Sequence, residues 1–163
     1  MTDSKPLVIQ KLGLLQEASW AQPGKPTRII LHHTAGATLK GAEQTLKQRG
    51  LGYHYMIDRD GTRYQYYRDT AAANHAKYNN RRTIGISLVG GGGTRLNDIQ
   101  VDSLIVLMRI IIDANPLIVD FSSHREVDAH TPAPSGKVDP DFADFHGVMD
   151  RIAEKTGLKR FRG

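Results

Sequence analysis

Thr27-Arg28-Ile29-Ile30-Leu31-His32-His33-Thr34-Ala35-Gly36 is the stretch on which the reading of the whole chain turns. The turn Pro23-Gly24-Lys25-Pro26 precedes it. Thr27 to Leu31 reads as a buried strand, and it delivers His32 to a loop that opens at its end. Outward from this strand, Thr38 to Arg49 reads as a helix stopped by Gly50. Tyr53–Ile57 and Thr62–Tyr67 are strand-like runs joined by Asp58-Arg59-Asp60-Gly61, a hairpin signal. Thr83 to Val89 is another β-rich run, closed by Gly90-Gly91-Gly92-Gly93. Asp98 is expected to cap a largely buried helix reaching about Ala114, with Ile99, Leu104, Leu107 and Ile111 on its apolar side. Asn115-Pro116 stops it, and Leu117 to Phe121 follows as a short strand. Residues 125–140 read as a long loop, a class of segment that is often functional. A last helix is expected over Ala143–Lys155, with Phe145, Met149 and Ile152 at helical spacing and Gly157 beyond it. Alternating elements with one hairpin predict an α/β fold: a single domain with a mixed central β-sheet and helices packed on it.

The division expected from the sequence is an N-terminal extension over residues 1–26, a catalytic domain over 27–158 and a basic tail over 159–163. Leu14, Leu15 and Trp20 are the expected anchors of the extension. The 163 residues suffice for one domain with a real core. No apolar stretch approaches a membrane span, and Met1 to Pro6 has no basic region leading into an apolar one. The expectation is a chain without a signal peptide, made in the cytoplasm and not integral to a membrane. There is no cysteine, so disulfides and thiolate sites are excluded. The net charge of +5 suits a polyanionic partner. No helix-turn-helix, finger or RNA-binding signature accompanies it, so an anionic cell envelope is favoured over nucleic acid.

Three residues carry chemistry. His32 ends one apolar run, His124 follows another in Ser123-His124-Arg125-Glu126, and Asp139 sits in Lys137-Val138-Asp139-Pro140. Two imidazoles and a carboxylate form the ligand set of a catalytic zinc site with a fourth position open to water. Zinc lowers the pKa of such a water to about 7. Four candidates for the third ligand lie downstream of His124: Asp128, His130, Asp139 and Asp141. Pro140 biases Asp139 towards an extended backbone, and Lys137 shares its parity. That favours Asp139 and leaves a three-histidine site through His130 as the alternative.

The segments His32-His33-Thr34-Ala35-Gly36, Gly52-Tyr53-His54-Tyr55-Met56-Ile57-Asp58-Arg59-Asp60-Gly61, Asn74-His75-Ala76-Lys77 and Ile84-Gly85-Ile86-Ser87-Leu88-Val89-Gly90 occur in order. Over about residues 27–155 the chain resembles the type 2 N-acetylmuramoyl-L-alanine amidases. That family includes amidase-type phage lysozymes, bacterial cell-wall amidases and peptidoglycan-recognition proteins. The resemblance implies the mixed-sheet fold and one zinc ion per chain. It implies cleavage of the amide between N-acetylmuramic acid and L-alanine of the stem peptide. It implies His32 and His124 as ligands; a cysteine that some members carry falls at Pro132, whereas others use an aspartate in the context that Lys137 to Pro140 reproduces. It implies Tyr53 and Lys137 as catalytic, since a tetrahedral oxyanion needs a fixed donor or cation. The cytoplasmic anhydro-muropeptide amidases carry a glutamate where this chain has Ser87.

His75, Asn74 and Thr34 are expected to contact substrate; His33 and His54 are expected to be structural, and His130 and His146 ordinary. The four-glycine run lacks the lysine of a phosphate loop and reads as a flexible loop. The expected partner is bacterial peptidoglycan or a muropeptide, met by a monomer. A compact chain of this kind suits a phage or prophage endolysin released through a holin. The alternatives are a non-catalytic peptidoglycan-binding module and a cytoplasmic recycling amidase for soluble anhydro-muropeptides.

Overall fold

The structure, a computed structural model, describes residues 7–16 and 19–162. The readings placed on Met1 to Pro6 lie outside the described residues. In chain order the elements are β1 (Ile9–Gln10), β2 (Ser19–Ala21), β3 (Arg28–His33), α1 (Leu39–Arg49), β4 (Tyr55–Ile57), β5 (Arg63–Gln65), β6 (Ala71–Ala73), β7 (Thr83–Leu88), α2 (Asp98–Ala114), β8 (Asp120–Ser123), α3 (His124–Ala129), α4 (Phe145–Thr156) and β9 (Lys159–Arg160). The central sheet has the order β1-β5-β4-β7-β3-β8-β9. Only the hairpin pair β4–β5 is antiparallel within it; β2 and β6 form a separate antiparallel pair. This is the mixed sheet in an α/β domain that the alternation of elements implies.

The three central strands explain the apolar runs. Ile29, Leu31, Ile84, Ile86 and Leu88 face α2 and α4 in a core that includes Leu104, Leu107, Met108, Met149 and Ile152. The opposite face packs Met56 and Tyr66 against Leu39, Ala42 and Leu46 of α1. β3, covered on both sides, is apolar through Ile29-Ile30-Leu31, whereas β7 sets Thr83, Gly85 and Ser87 between Ile84, Ile86 and Leu88. Thr38 caps α1 through the N–H of Gly41, and Gly50 ends it in the left-handed region (φ 64°).

Several boundaries differ from expectation. The cap of α2 is Asn97, not Asp98; Asn97 and Gln100 exchange side-chain hydrogen bonds with each other's backbone N–H, a capping box. Ile99, expected on the buried side, is 59% exposed. The strand expected at Leu117–Phe121 begins later, at Asp120, because Leu117 and Val119 are exposed and only Ile118 turns inward. The expected loop 125–140 opens with a helix, α3, capped by Ser123. Leu15 is buried, but Leu14 and Trp20 are not, so two of the three expected anchors lie at the surface. The expected basic tail is not free: Lys159 and Arg160 add a parallel strand beside Asp120 and Phe121.

Candidate metal centre

Strand pairing sets the first half of the site. β3 and β8 run parallel with Leu31 opposite Ser123, so His32 and His124 emerge side by side at the carboxyl ends of adjacent strands. That edge is where open parallel sheets place their sites. Ser123 ends β8 and caps α3: its Oγ accepts from the N–H of Glu126 at 3.1 Å, and the Glu126 carboxylate reaches back to the Ser123 N–H. The cap forces the chain to turn at His124 and aims that ring back over the sheet.

The loop after α3 supplies the carboxylate. The Arg125 N–H donates to the Asp139 carbonyl at 3.0 Å, and the Asp141 N–H donates to His33 Nδ1 at 3.0 Å. Asp128 holds the approach to that segment, accepting from the N–H and Oγ of Ser135 and from the N–H of Lys137. Burial opposes the charge of Asp128, but the hydrogen bonds from Ser135 and Lys137 prevail and lower its pKa. Asp128 is therefore occupied as a loop brace. His130 is exposed, hydrogen-bonds the Glu126 carbonyl and stands apart from the cluster. Among the described residues, His32, His124 and Asp139 are the set whose donor atoms converge.

The convergence has metal-like dimensions. His32 Nδ1 lies 3.1 Å from His124 Nδ1, and each lies 3.2 Å from Asp139 Oδ2. A tetrahedron with metal–ligand bonds of about 2.0–2.1 Å has edges of roughly 3.3 Å. Three donors at that spacing fit one zinc ion with a fourth position left over. The protonation states fit as well. Burial lowers the pKa of His32 to about 4, with the His124 charge adding to it and the Asp139 hydrogen bond opposing it. Burial works against the charge of Asp139, yet its polar contacts with His124 and His32, and their charges, hold its carboxyl far below the usual range. A neutral imidazole and an ionised carboxylate need lose no proton to bind a metal at neutral pH.

Tyr53 stands beside the cluster, its ring 4.7 Å from that of His32. Burial and then the Asp139 charge raise its pKa, while an interaction with Ser87 Oγ, short of a full hydrogen bond, works the other way. Ser87 is wholly buried, level with His32 across the β3–β7 pair. Lys137 is exposed on the loop two residues before Asp139, and its ammonium has no partner among the described residues. A crevice of about 130 Å³ opens next to Tyr53, lined by Thr34, Gly36, Thr45, Arg49 and Leu51 among others. Larger cavities, of about 470 and 490 Å³, lie over the N-terminal segment and include neither Tyr53 nor any of the three donors.

Two of the expected substrate contacts make hydrogen bonds within the protein. His75 is buried beneath His32, its Nδ1 3.0 Å from His32 Nε2 and its Nε2 3.0 Å from Thr83 Oγ1. Burial and then the neighbouring His32 push its pKa well below the usual value. Both of its ring nitrogens are thus engaged within the protein. Asn74 ties its own loop, donating to the Gly50 carbonyl and accepting from Asn80. Thr34 does reach the crevice, although its Oγ1 already accepts from the N–H groups of Gly36 and Gly90. His54 is buried between the Ala71 carbonyl and the Gly85 N–H, as a structural residue.

The family model of N-acetylmuramoyl-L-alanine amidases matches residues 22–142. The chain belongs to this family. A protein of Rickettsia conorii, provisionally named as an N-acetylmuramoyl-L-alanine amidase, is 32% identical over 80 residues, a stretch that makes up 48% of this chain and 30% of the relative. The chain thus matches less than a third of that curated relative's length. The N-acetylmuramoyl-L-alanine amidase LysC of Clostridium intestinale has the same fold, with a TM-score of 0.69 and 26% identity over 95% of this chain and 100% of that one. The endolysin amidase LysCS of the same organism gives a TM-score of 0.67 at 27% identity, over 93% of this chain and 96% of that one.

Two residues near the cluster escaped the sequence reading. Arg49 is an exposed last-turn helix residue by sequence, and only the fold brings it into the crevice with Tyr53. Thr83 is a strand residue whose hydroxyl turns out to lie behind His75. Neither has a local signal; a threonine in a strand and an arginine at a helix end are ordinary.

Proposed function

We propose that this chain is a zinc-dependent amidase that hydrolyses the amide between N-acetylmuramic acid and L-alanine of the stem peptide. The observation that carries the reading is the convergence of His32, His124 and Asp139 at the open edge of an amidase-family sheet. Zinc, when bound by these three, would supply Lewis acidity to the attacking water and the scissile carbonyl. His32 and His124 would hold the ion, and Asp139 would contribute the negative charge. Tyr53, kept protonated by its burial, is a donor for the oxyanion of a tetrahedral transition state. Lys137 adds a cation on the solvent side and is free to swing toward the same oxygen. A proton must also reach the departing L-alanine amine; we assign the Tyr53 hydroxyl to relay to it the proton that the attacking water gives up, so that Tyr53 ends protonated as it began. Arg49 offers a guanidinium, without a protein partner among the described residues, to a carboxylate of the stem peptide in the crevice.

We further propose that the substrate is the intact wall, in the manner of an endolysin. The likeness to LysCS at 27% identity supports this, and so does Ser87, which stands where the recycling amidases have a glutamate. The full donor set favours an enzyme over a binding module. The test is mass spectrometry of digested peptidoglycan, with zinc measured on the same sample. Free stem peptides carrying a new L-alanine amino terminus and intact glycan strands are expected. New reducing ends, or undiminished activity in metal-free protein, would overturn the reading. Equal or greater turnover of soluble anhydro-muropeptides than of intact sacculi would overturn the endolysin assignment.

A further inference from the structure

The hydrogen bonds behind His32 have a direction, and that direction starts at the backbone. The Thr83 hydroxyl lies 2.7 Å from the Asn79 carbonyl and 3.3 Å from that of Asn80. A hydroxyl has one proton, and a carbonyl can only accept. Thr83 Oγ1 therefore gives its proton to the backbone and presents lone pairs to His75 Nε2, 3.0 Å away. His75 Nε2 must then carry the N–H. A neutral imidazole has one donor and one acceptor, so His75 Nδ1 is an acceptor. It faces His32 Nε2 at 3.0 Å, and His32 Nε2 must donate. What remains on His32 is a bare lone pair at Nδ1, which faces His124 and Asp139, and the N–H in that triangle is left to His124 Nδ1, 3.2 Å from Asp139 Oδ2.

We infer that His75 is a positioning residue that selects, before any metal arrives, the tautomer of His32 whose Nδ1 is ready to bind it. The inference rests on the reading of His32 as a metal ligand. The surroundings hold His75 to this task. Asn80 Oδ1 accepts from the N–H of both His75 and Ala76, at 3.0 and 2.7 Å. Gly85 of β7 leaves room for the ring: a Cβ there would lie 2.6 Å from His75 Nδ1. Metal-bound histidines generally need such an outer partner, and losing one weakens binding by about 10–100-fold.

The test has two arms. In metal-free wild-type protein, nitrogen NMR of the histidine rings should report His32 as the Nε2–H tautomer. A dominant Nδ1–H form would overturn the inference, and this arm needs no bound metal. In the second arm, zinc affinity is measured by competition with a chromogenic chelator. His75→Phe, which fills the space without an acceptor, should bind zinc about 10–100-fold more weakly. His75→Gln keeps an acceptor and a donor and should restore affinity to within a few-fold of wild type. Thr83→Val tests the start of the chain: without the hydroxyl, metal-free His32 should become a mixture of tautomers. If His75→Phe and Thr83→Val bind zinc as tightly as wild type, His75 does not position His32. Should His75→Phe fail to fold, the wild-type tautomer and Thr83→Val still decide. A wild-type chain that binds no zinc defeats the proposed metal function but not the tautomer assignment, so the two failures are distinct.

Discussion

His32 and His124 stand on adjacent parallel strands, whereas Asp139 hangs from the loop between α3 and α4. The strand-borne pair is placed by a ladder of backbone hydrogen bonds and a buried core on both faces of the sheet. The loop-borne carboxylate is placed by a few tethers: Arg125 to the Asp139 carbonyl, Asp141 to His33, and the Asp128 brace. One half of the site is as rigid as the fold itself. The other half is assembled by individual polar contacts, none of which belongs to the backbone ladder of the sheet. The comparison predicts where damage to metal binding should come with damage to stability and where it should not.

The largest effects should come from the ligands. His32→Ala, His124→Ala and Asp139→Ala should each lose zinc, measured by elemental analysis, and activity on sacculi. His130→Ala should keep both; if it loses the metal instead, the carboxylate does not belong to the site. Next come the groups that face the reacting amide. Tyr53→Phe and Lys137→Ala should keep wild-type zinc content while kcat falls on the order of 10²–10³. Wild-type rates in both would leave the metal as the sole catalyst.

A smaller effect tests the loop half alone. Asp128→Asn should weaken zinc binding a few-fold and leave the thermal midpoint near wild type, because the sheet does not depend on it. A midpoint drop as large as that of a core substitution would erase the distinction between the two halves. The same brace predicts a pH dependence. Its pKa is lowered on folding, so its contribution is complete above the unfolded value of about 3.9 and is lost as pH falls towards the lower native value. Protease nicking of the loop should therefore increase below about pH 4 in the wild type. Asp128→Asn, already lacking the charge, should be nicked equally at both pH values. The smallest effect is expected at Arg49. Its alanine variant should raise KM for peptidoglycan about fivefold with kcat unchanged, the worth of about 1 kcal/mol for an exposed charged contact. A fall in kcat alone would place Arg49 in the chemistry instead.

The same division governs how much was legible. β3 and β7 could be read from the sequence because their core-facing positions are apolar: Ile29 and Leu31 in one, Ile84, Ile86 and Leu88 in the other. Helices α1 and α4 announced themselves through Thr38, Gly50 and Gly157. Strand β8 was misplaced because Leu117 and Val119 are apolar but exposed, and hydrophobicity alone does not tell burial from surface. The strands β1, β2, β6 and β9 are two or three residues long, too short to show a period. They exist because a neighbouring strand offers them backbone partners. Lys159-Arg160 is the plainest case: charged and unremarkable by sequence, it is a strand only because Asp120 and Phe121 lie beside it.

The residue types of the site were present in the sequence: two histidines after apolar runs, an aspartate before a proline, and a tyrosine that was expected in a hairpin strand and lies just before it, the strand starting at Tyr55. A chain must carry such groups wherever its chemistry needs them, and few other residue types can bind zinc. Their arrangement belonged to the tertiary structure. It alone set His32 level with His124 through the register of β3 and β8. It committed Asp128 to bracing the loop and kept Asp139 beside the two histidines. It also turned His75 from an expected substrate contact into the buried partner of His32. The reason is physical. Side-chain chemistry is local and can be read one residue at a time, but a hydrogen-bond partner 43 positions away exists only once the backbone has brought it within 3.0 Å.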